Sequence, residues 1–183
     1  MPAKKQITRE NILKAALKIL KEQGFEAVNI KTLAWELKCS TQPVYLSFTG
    51  MEELRAALIP MAVKEFEDIM KGYGRNDMIC LYGIEYINFA KNEPKLFNFL
   101  FMRANAFSEI KRTLLPIIEL SVNELMDTYH INHEEADYLH DNLWMHAHGI
   151  ASMIATDFCD WDMDKVGCML AECKAAFTGK YEV

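Results

Sequence analysis

The chain has 183 residues, and 51% of them are apolar, which is enough to bury a core in one domain or in a small module fused to a larger one. No run of about 18 apolar residues is free of charge, so the sequence predicts no membrane span, and its start lacks the apolar segment of a secretory signal. The five cysteines include no Cys-x-x-Cys pair and are odd in number. They favour reduced thiols. The absence of a signal and of a membrane span favours a cytoplasmic protein.

The net charge of −6 is distributed unevenly along the chain. Residues 1–55 hold nine Lys or Arg against six Asp or Glu, a net charge of +3, whereas residues 56–183 have a net charge of −9. A basic head on an acidic body allows the head alone to approach a phosphate backbone. Small charge imbalances are common on protein surfaces, so charge by itself does not establish nucleic-acid binding.

Helical periodicity dominates the whole chain. Apolar residues recur at helical spacing, whereas the alternating pattern of a strand is scarce. Gly, Pro and Asn divide the chain into about nine helical pieces. The sequence therefore predicts an all-α fold.

The first three helices are short. The first is predicted from Arg9 to Gln23, and the second is capped by Asn29. After a tight turn at Lys38-Cys39, Ser40 is expected to cap a third helix over 41–47, with Pro43 in its first turn. Three short helices arranged in this way are typical of a helix-turn-helix motif.

The third helix divides its residues into two faces. Val44 and Phe48 are apolar and four residues apart, so they are expected to anchor the helix to its neighbours. The outward residues include no acid, a glutamine can pair with adenine, and a threonine can bond a base edge or touch a thymine methyl group. Tyrosine and serine side chains suit phosphate oxygens. The alternative is an ordinary helical hairpin with a polar outer face.

The segment from Thr8 to Leu54 resembles the DNA-binding domain of the tetracycline-repressor (TetR) family. The matching residues stand in register: Ala15-Ala16, Gly24-Phe25, Leu33-Ala34, Ser40, Val44-Tyr45, Phe48 and Glu52-Glu53-Leu54. The resemblance implies a homodimeric regulator, usually a repressor, that binds a palindromic double-stranded DNA operator. It divides the chain into a helix-turn-helix DNA-binding domain over 1–50 and a helical ligand-binding and dimerisation domain over 51–183.

The chain departs from the family pattern at several positions. Lys38 stands where the family often has Gly, and Met51 stands where it commonly has a Lys that touches phosphate. Leu46 and Ser47 replace the aromatic or His residues that often follow the Tyr. Phosphate affinity is therefore expected to depend on Lys4, Lys5, Lys31 and Lys38. The full set of predicted DNA-binding residues is Lys4, Lys5, Lys31, Ser40, Thr41, Gln42, Pro43, Tyr45, Leu46 and Ser47.

The body contains a bent helix and an aromatic cluster. The fourth helix, predicted from Met51 to Lys71, contains Pro60, which is either a hinge or a static kink. Large side chains concentrate between residues 78 and 107 and form either a solid core or the wall of a pocket for a small apolar or aromatic effector. The predicted ligand-binding residues are Tyr82, Tyr86, Phe97, Phe101, Met102, Trp144 and His148.

His148 is interpreted either as a satisfied core histidine or as a polar contact for the effector. No run of basic residues lines the aromatic region, so a multiply anionic effector is disfavoured. The segment from Trp144 to Gly149, with the one beginning at Tyr86, resembles a C-terminal type of the family marked by a Trp/His/Gly signature.

The last two helices carry ridges of small side chains, which permit close helix packing. Two such helices from each copy are expected to form a four-helix dimer interface, and the alternative is an intramolecular hairpin that uses the same ridges. The predicted interface residues are Ala147, Ala151, Ala155, Gly167, Ala171 and Ala175.

Other classes of function find little support in the sequence. His146 and His148 point to different faces of a helix, and the acidic run that begins at Asp160 has Lys165 and Ala171 where a calcium loop needs Gly and Glu. No paired nucleophile and base and no phosphate-cradling loop are present. We therefore expect no enzyme activity, metal or cofactor. The main alternative is a dimeric helical adaptor that has lost DNA binding.

Overall fold

The computed structural model describes residues 7–72 and 83–181. Over these ranges the chain forms nine α-helices and one short 3-10 turn, with no strand, which confirms the predicted all-α fold. None of these helices combines the length and apolarity needed to cross a bilayer. The helices are α1 (Arg9–Gln23), α2 (Ile30–Glu36), α3 (Gln42–Ser47), α4 (Met51–Gly72), α5 (Ile84–Asn92), α6 (Pro94–Phe101), α7 (Ala106–Tyr129), α8 (His133–Ala155) and α9 (Met163–Thr178).

Local capping explains where the first helices begin. The Thr8 side chain accepts a hydrogen bond from the N–H of Asn11, and the Asn11 side chain accepts one from the N–H of Thr8. Asn29 caps α2 as predicted, because its side chain accepts bonds from two N–H groups of the first turn. These reciprocal bonds satisfy donors that have no partner inside the helix.

Helix α3 begins one residue later than predicted. Its N-cap is Thr41 rather than Ser40, and no side chain caps it. The proline provides the reason, because Pro43 occupies the second helical position and has no N–H for a capping side chain to satisfy.

Helix α4 joins the three-helix head to the body and packs against α1, α5, α6 and α7. It runs from Met51 to Gly72, one residue beyond the predicted end, and continues through Pro60. Pro60 and Ala56 are both exposed, so water can hydrate the Ala56 carbonyl that loses its helical partner. The exposure explains how the helix tolerates an interior proline.

Helix α8 lies at the centre of the body and packs against α5, α7 and α9. Its small ridge, Ala147, Ala151 and Ala155, is buried within this packing. That arrangement corresponds to the intramolecular use of the ridge. By contrast, Ala171 and Ala175 on α9 are exposed.

Candidate nucleic-acid interface and effector cavity

Helix α3 is held firmly against the rest of the head. Val44 and Phe48 are buried, as the sequence predicts. The Arg9 guanidinium lies 4.3 Å from the centre of the Phe48 ring and 2.9 Å from Glu53 in α4. The Thr49 N–H and hydroxyl both donate to Glu53, at 2.8 and 2.9 Å, and these bonds lower the pKa of the Glu53 carboxyl. The end of α3 is therefore fixed to both α1 and α4.

The opposite face of α3 is open to solvent. Thr41 and Gln42 are exposed, and Tyr45 and Leu46 expose 65% and 80% of their surface. Tyr45 and Leu46 are adjacent, and an exposed apolar patch rimmed by polar residues is typical of a surface that binds a partner. The structure thus brings the predicted reading residues Ser40, Thr41, Gln42, Tyr45 and Leu46 onto one exposed segment, with Pro43 and Ser47 half-buried beside them.

Two lysines flank this surface. Lys31 lies in the first turn of α2, and Lys38 lies in the turn between α2 and α3; both are exposed. Neither forms an ion pair with any residue of 7–72 or 83–181, whereas Lys18 is paired with Glu36 at 2.8 Å. The two flanking ammonium groups are therefore available to phosphate oxygens. The other predicted phosphate contacts, Lys4 and Lys5, lie outside the described residues.

The turn between α2 and α3 places a lysine in the left-handed region. Lys38 has a φ of 52°, a conformation that favours glycine. The turn is closed by bonds from the Lys38 N–H to the Trp35 carbonyl and from the Cys39 N–H to the Ala34 carbonyl. The departure from the family pattern noted at this position therefore carries a backbone cost.

Trp35 is an exposed side chain of the head that the sequence reasoning passed over. It is 79% exposed and lines an open surface depression with Lys18, Lys38 and Ser40. The sequence signal that could have indicated this exposure is helical phase, because Trp35 is out of phase with the inward residues Leu33 and Ala34.

A cavity of about 320 Å³ lies between α7 and α8, with the end of α6 closing one side. Its apolar wall includes Phe101, Leu114, Ile118 and Trp144, and its charged groups are Lys111, Glu119, Asp137 and Asp141. Two of the predicted ligand-binding residues, Phe101 and Trp144, line it. Of the others, Met102 is exposed and Tyr82 lies outside the described residues.

Tyr86, Phe97 and His148 form a packed aromatic cluster behind that wall. Tyr86 and Phe97 are completely buried, and the His148 ring is stacked between Phe97 and Trp144 with centroids 5.6 and 5.0 Å away. The Tyr86 hydroxyl lies 3.0 Å from His148 Nδ1. This cluster is a solid core, and through Trp144 and Phe101 it supports the cavity.

Burial determines the protonation of this pair. It raises the pKa of the Tyr86 phenol and lowers the pKa of His148. Because the phenol keeps its proton and the imidazole is neutral, we assign Tyr86 as the donor and Nδ1 as the acceptor, which leaves the histidine proton on Nε2.

A salt-bridge network connects the cavity helix α7 to the linking helix α4. Glu109 accepts from Arg55 of α4 at 3.3 Å and from Arg103 at 3.1 Å. Arg103 also lies 4.6 Å above the Phe99 ring, which is 4.9 Å from the ring of Phe25 in the head. The sequence contains no signal for this network, because Arg55 and Glu109 are 54 residues apart.

The exposed face of α8 differs from the one that the sequence indicates. The predicted interface residues Ala147, Ala151 and Ala155 are buried within the chain and cannot contact a second copy. Met145 and Met153 are exposed, and the side of Gly149 that a Cβ would occupy is open. Residues two positions apart on a helix point in nearly opposite directions, so this second i, i+4 ridge lies on the far side from the alanines.

The described residues contain no group of three or more His, Cys, Asp or Glu arranged to hold a metal ion.

Comparison with known proteins identifies the head. Residues 12–58 match the family model described as "Bacterial regulatory proteins, tetR family". The head is therefore a helix-turn-helix DNA-binding domain of the TetR type. The class of protein to which the chain is similar is that of DNA-binding regulators.

Two particular proteins extend the similarity over the body. One is an uncharacterized HTH-type transcriptional regulator, Rv0681, of Mycobacterium tuberculosis (strain ATCC 25618 / H37Rv). The two sequences are 24% identical over 183 residues, and the match covers 89% of this chain and 76% of that protein. The fold of this chain is similar to that of NalD, the secondary repressor of the MexAB-OprM multidrug efflux pump in Pseudomonas aeruginosa, with a TM-score of 0.53 and 14% identity over 92% of this chain and 94% of NalD. Both are regulators rather than enzymes, and at 14% identity the second likeness concerns the fold alone.

Proposed function

We propose that the protein is a ligand-responsive transcriptional repressor that acts in the cytoplasm and binds a palindromic DNA operator as a homodimer. The observation that carries this proposal is the exposed face of α3, with Gln42, Tyr45 and Leu46 in water on a helix anchored by Val44 and Phe48. Such a helix is suited to the major groove, because its outer residues reach base edges while its inner residues fix its orientation.

Dimerisation follows from the need to place two heads on one operator. Half-sites of helix-turn-helix dimers are spaced by about one helical turn, roughly 34–36 Å, or multiples of it. The surface that we assign to this contact combines the ridge of Met145, Gly149 and Met153 on α8 with the exposed Ala171 and Ala175 on α9. Small residues permit the close approach of helices, and the two methionines supply apolar area.

The effector site that we propose is the cavity between α7 and α8. Of the predicted ligand-binding residues, Phe101 and Trp144 belong to it. Three carboxylates and one lysine belong to this cavity, and burial lowers the pKa of its His140. A multiply anionic ligand would meet this excess of negative charge without partners. We therefore expect an apolar or aromatic molecule whose polar end is neutral or positive.

The response would travel through α7 to α4. Phe107 and Lys111 line the cavity and flank Glu109, which holds Arg55 of α4. An effector shifts the equilibrium only if it binds the DNA-competent and incompetent conformations with different affinities. A coupling of about 1–3 kcal/mol corresponds to a change of roughly 5- to 150-fold in operator affinity.

The deciding experiment is selection of DNA from a random-sequence library by the full-length protein, followed by titration of the enriched sequence. A palindromic consensus and one dimer per site are expected. If no sequence is enriched while the protein remains a folded dimer, the chain is the dimeric adaptor that we hold as the alternative.

A further inference from the structure

We infer that the base pairs read by α3 in each half-site are A·T pairs, with a thymine methyl group against Leu46 and an adenine paired with Gln42. The inference rests on the proposed DNA-binding function and specifies the sequence class that this function recognises. Leu46 then acts as a specificity-determining residue.

The first argument is that α3 cannot make the contact with guanine that is commonest in the major groove. That contact is a bidentate pair from Arg or Lys to O6 and N7. Residues 40–49 contain neither amino acid. Arg9 of the head and Arg55 of α4 are already committed, since Arg9 binds Glu53 and Arg55 binds Glu109.

The second argument is the exposure of Leu46. This side chain exposes 80% of its surface and stands on the face of α3 opposite its buried anchors. The thymine methyl is the apolar group that the major groove offers to such a side chain. Placing the leucine against a thymine removes apolar surface from water on both partners. A cytosine at the same position would present an amino group and no methyl.

The third argument concerns Gln42, which lies one helical turn before Leu46. Within the described residues, the Gln42 amide has no hydrogen-bond partner, so its donor and acceptor are free for a base. Side-chain amides pair with N6 and N7 of adenine through two hydrogen bonds. Four residues of helix span about 6 Å, and base pairs are about 3.4 Å apart, so the two side chains reach base pairs within about two steps of one another.

The test starts from the sequence enriched by the wild-type protein. Each thymine of the two half-sites is replaced by deoxyuridine, which lacks only the methyl group, and binding is measured by fluorescence anisotropy. We expect one position per half-site at which the replacement weakens wild-type binding about four-fold, as loss of one buried methyl predicts. Leu46→Ala should bind the two DNAs equally. The protein should also bind a site with 5-methylcytosine·guanine at this position more tightly than the same site with cytosine·guanine.

The matched control is Leu120→Ala, which truncates another exposed leucine outside the head, on α7. This variant should retain the wild-type preference for thymine. Equal binding of thymine and deoxyuridine DNA by the wild type, or a consensus with G·C at all the contacted positions, overturns the inference and leaves DNA binding intact. A library without any enriched sequence overturns both the inference and the proposed function.

Discussion

At the scale of single residues, Lys38 adopts a backbone conformation that reduces the stability of the folded chain. Its left-handed conformation costs about 1 kcal/mol or more for a residue with a Cβ. We expect Lys38→Gly to raise the free energy of unfolding in urea by about 1 kcal/mol. Lys38→Ala removes the same charge but keeps the Cβ, so it should give no such gain. Equal effects of the two substitutions would assign the change to the charge.

Lys31 and Gln42 are predicted to make different kinds of contact with DNA. Lys31→Ala should weaken binding to all sequences and lower the slope of log affinity against log salt by about 1, because one phosphate contact is lost. Gln42→Ala should leave the slope unchanged and weaken specific binding by about 1–3 kcal/mol at one base pair. Titrations of specific and random DNA at several salt concentrations separate the two. Wild-type behaviour of both variants would place the reading face elsewhere.

His148 makes the stability of the body depend on pH. Burial lowers the pKa of His148 in the folded protein, so the unfolded chain binds more protons as the pH falls below 6.5, the ordinary pKa of histidine. Stability is therefore fully present above about pH 6.5 and decreases on acidification, by at most about 1.4 kcal/mol per pH unit for this group. His148→Gln should show a smaller decrease between pH 7.5 and 5.5 in urea unfolding. An unchanged pH dependence would contradict the assignment.

At the scale of helices, the contact between α4 and α7 depends on Glu109. Glu109→Gln removes the carboxylate that Arg55 and Arg103 share, and Arg103 already has one buried nitrogen without a partner. We expect a loss of about 1–3 kcal/mol in the free energy of unfolding and a weaker effect of effector on operator affinity.

Glu52 provides the control for this contact. It binds the same Arg55, but its side chain is 81% exposed, so Glu52→Gln should change stability little. If the two substitutions have equal effects on stability and on the effector response, α4 and α7 are not coupled through Glu109.

At the scale of the whole molecule, the proposed function assigns DNA contact to the basic head and assembly to the acidic body. The exposed ridge on α8 provides a test of assembly that leaves the fold intact. A Cβ at Gly149 would have no heavy atom of a neighbouring element of the described chain within 4 Å, whereas Ala151 is completely buried. Gly149→Trp should therefore give a folded monomer with weak operator binding, by light scattering and circular dichroism.

Ala171→Trp should have the same result, since Ala171 is exposed on α9. Ala151→Trp should instead destabilise the chain itself through overpacking. A dimeric Gly149→Trp protein would remove α8 from the interface, and a wild-type monomer at micromolar concentration would end the dimer hypothesis.

The sequence by itself determined what depends on local periodicity and on short motifs. Spacing and side-chain chemistry within one or two turns indicated the helical class, the cap at Asn29, the anchors Val44 and Phe48 and the outward face of α3. These features involve neighbours in the chain, so they can be read without knowledge of the fold.

Only the tertiary structure decided which of two equivalent faces becomes buried. The alanine ridge and the Met145–Gly149–Met153 ridge of α8 have the same spacing, and the packing of α5 and α9 selects the first for the interior. The cavity was likewise displaced from the predicted cluster, because Tyr86, Phe97 and His148 fill the core while α7 supplies the remaining wall. The bond between Arg55 and Glu109 joins residues 54 positions apart, and such contacts depend on how the helices cross rather than on any local pattern.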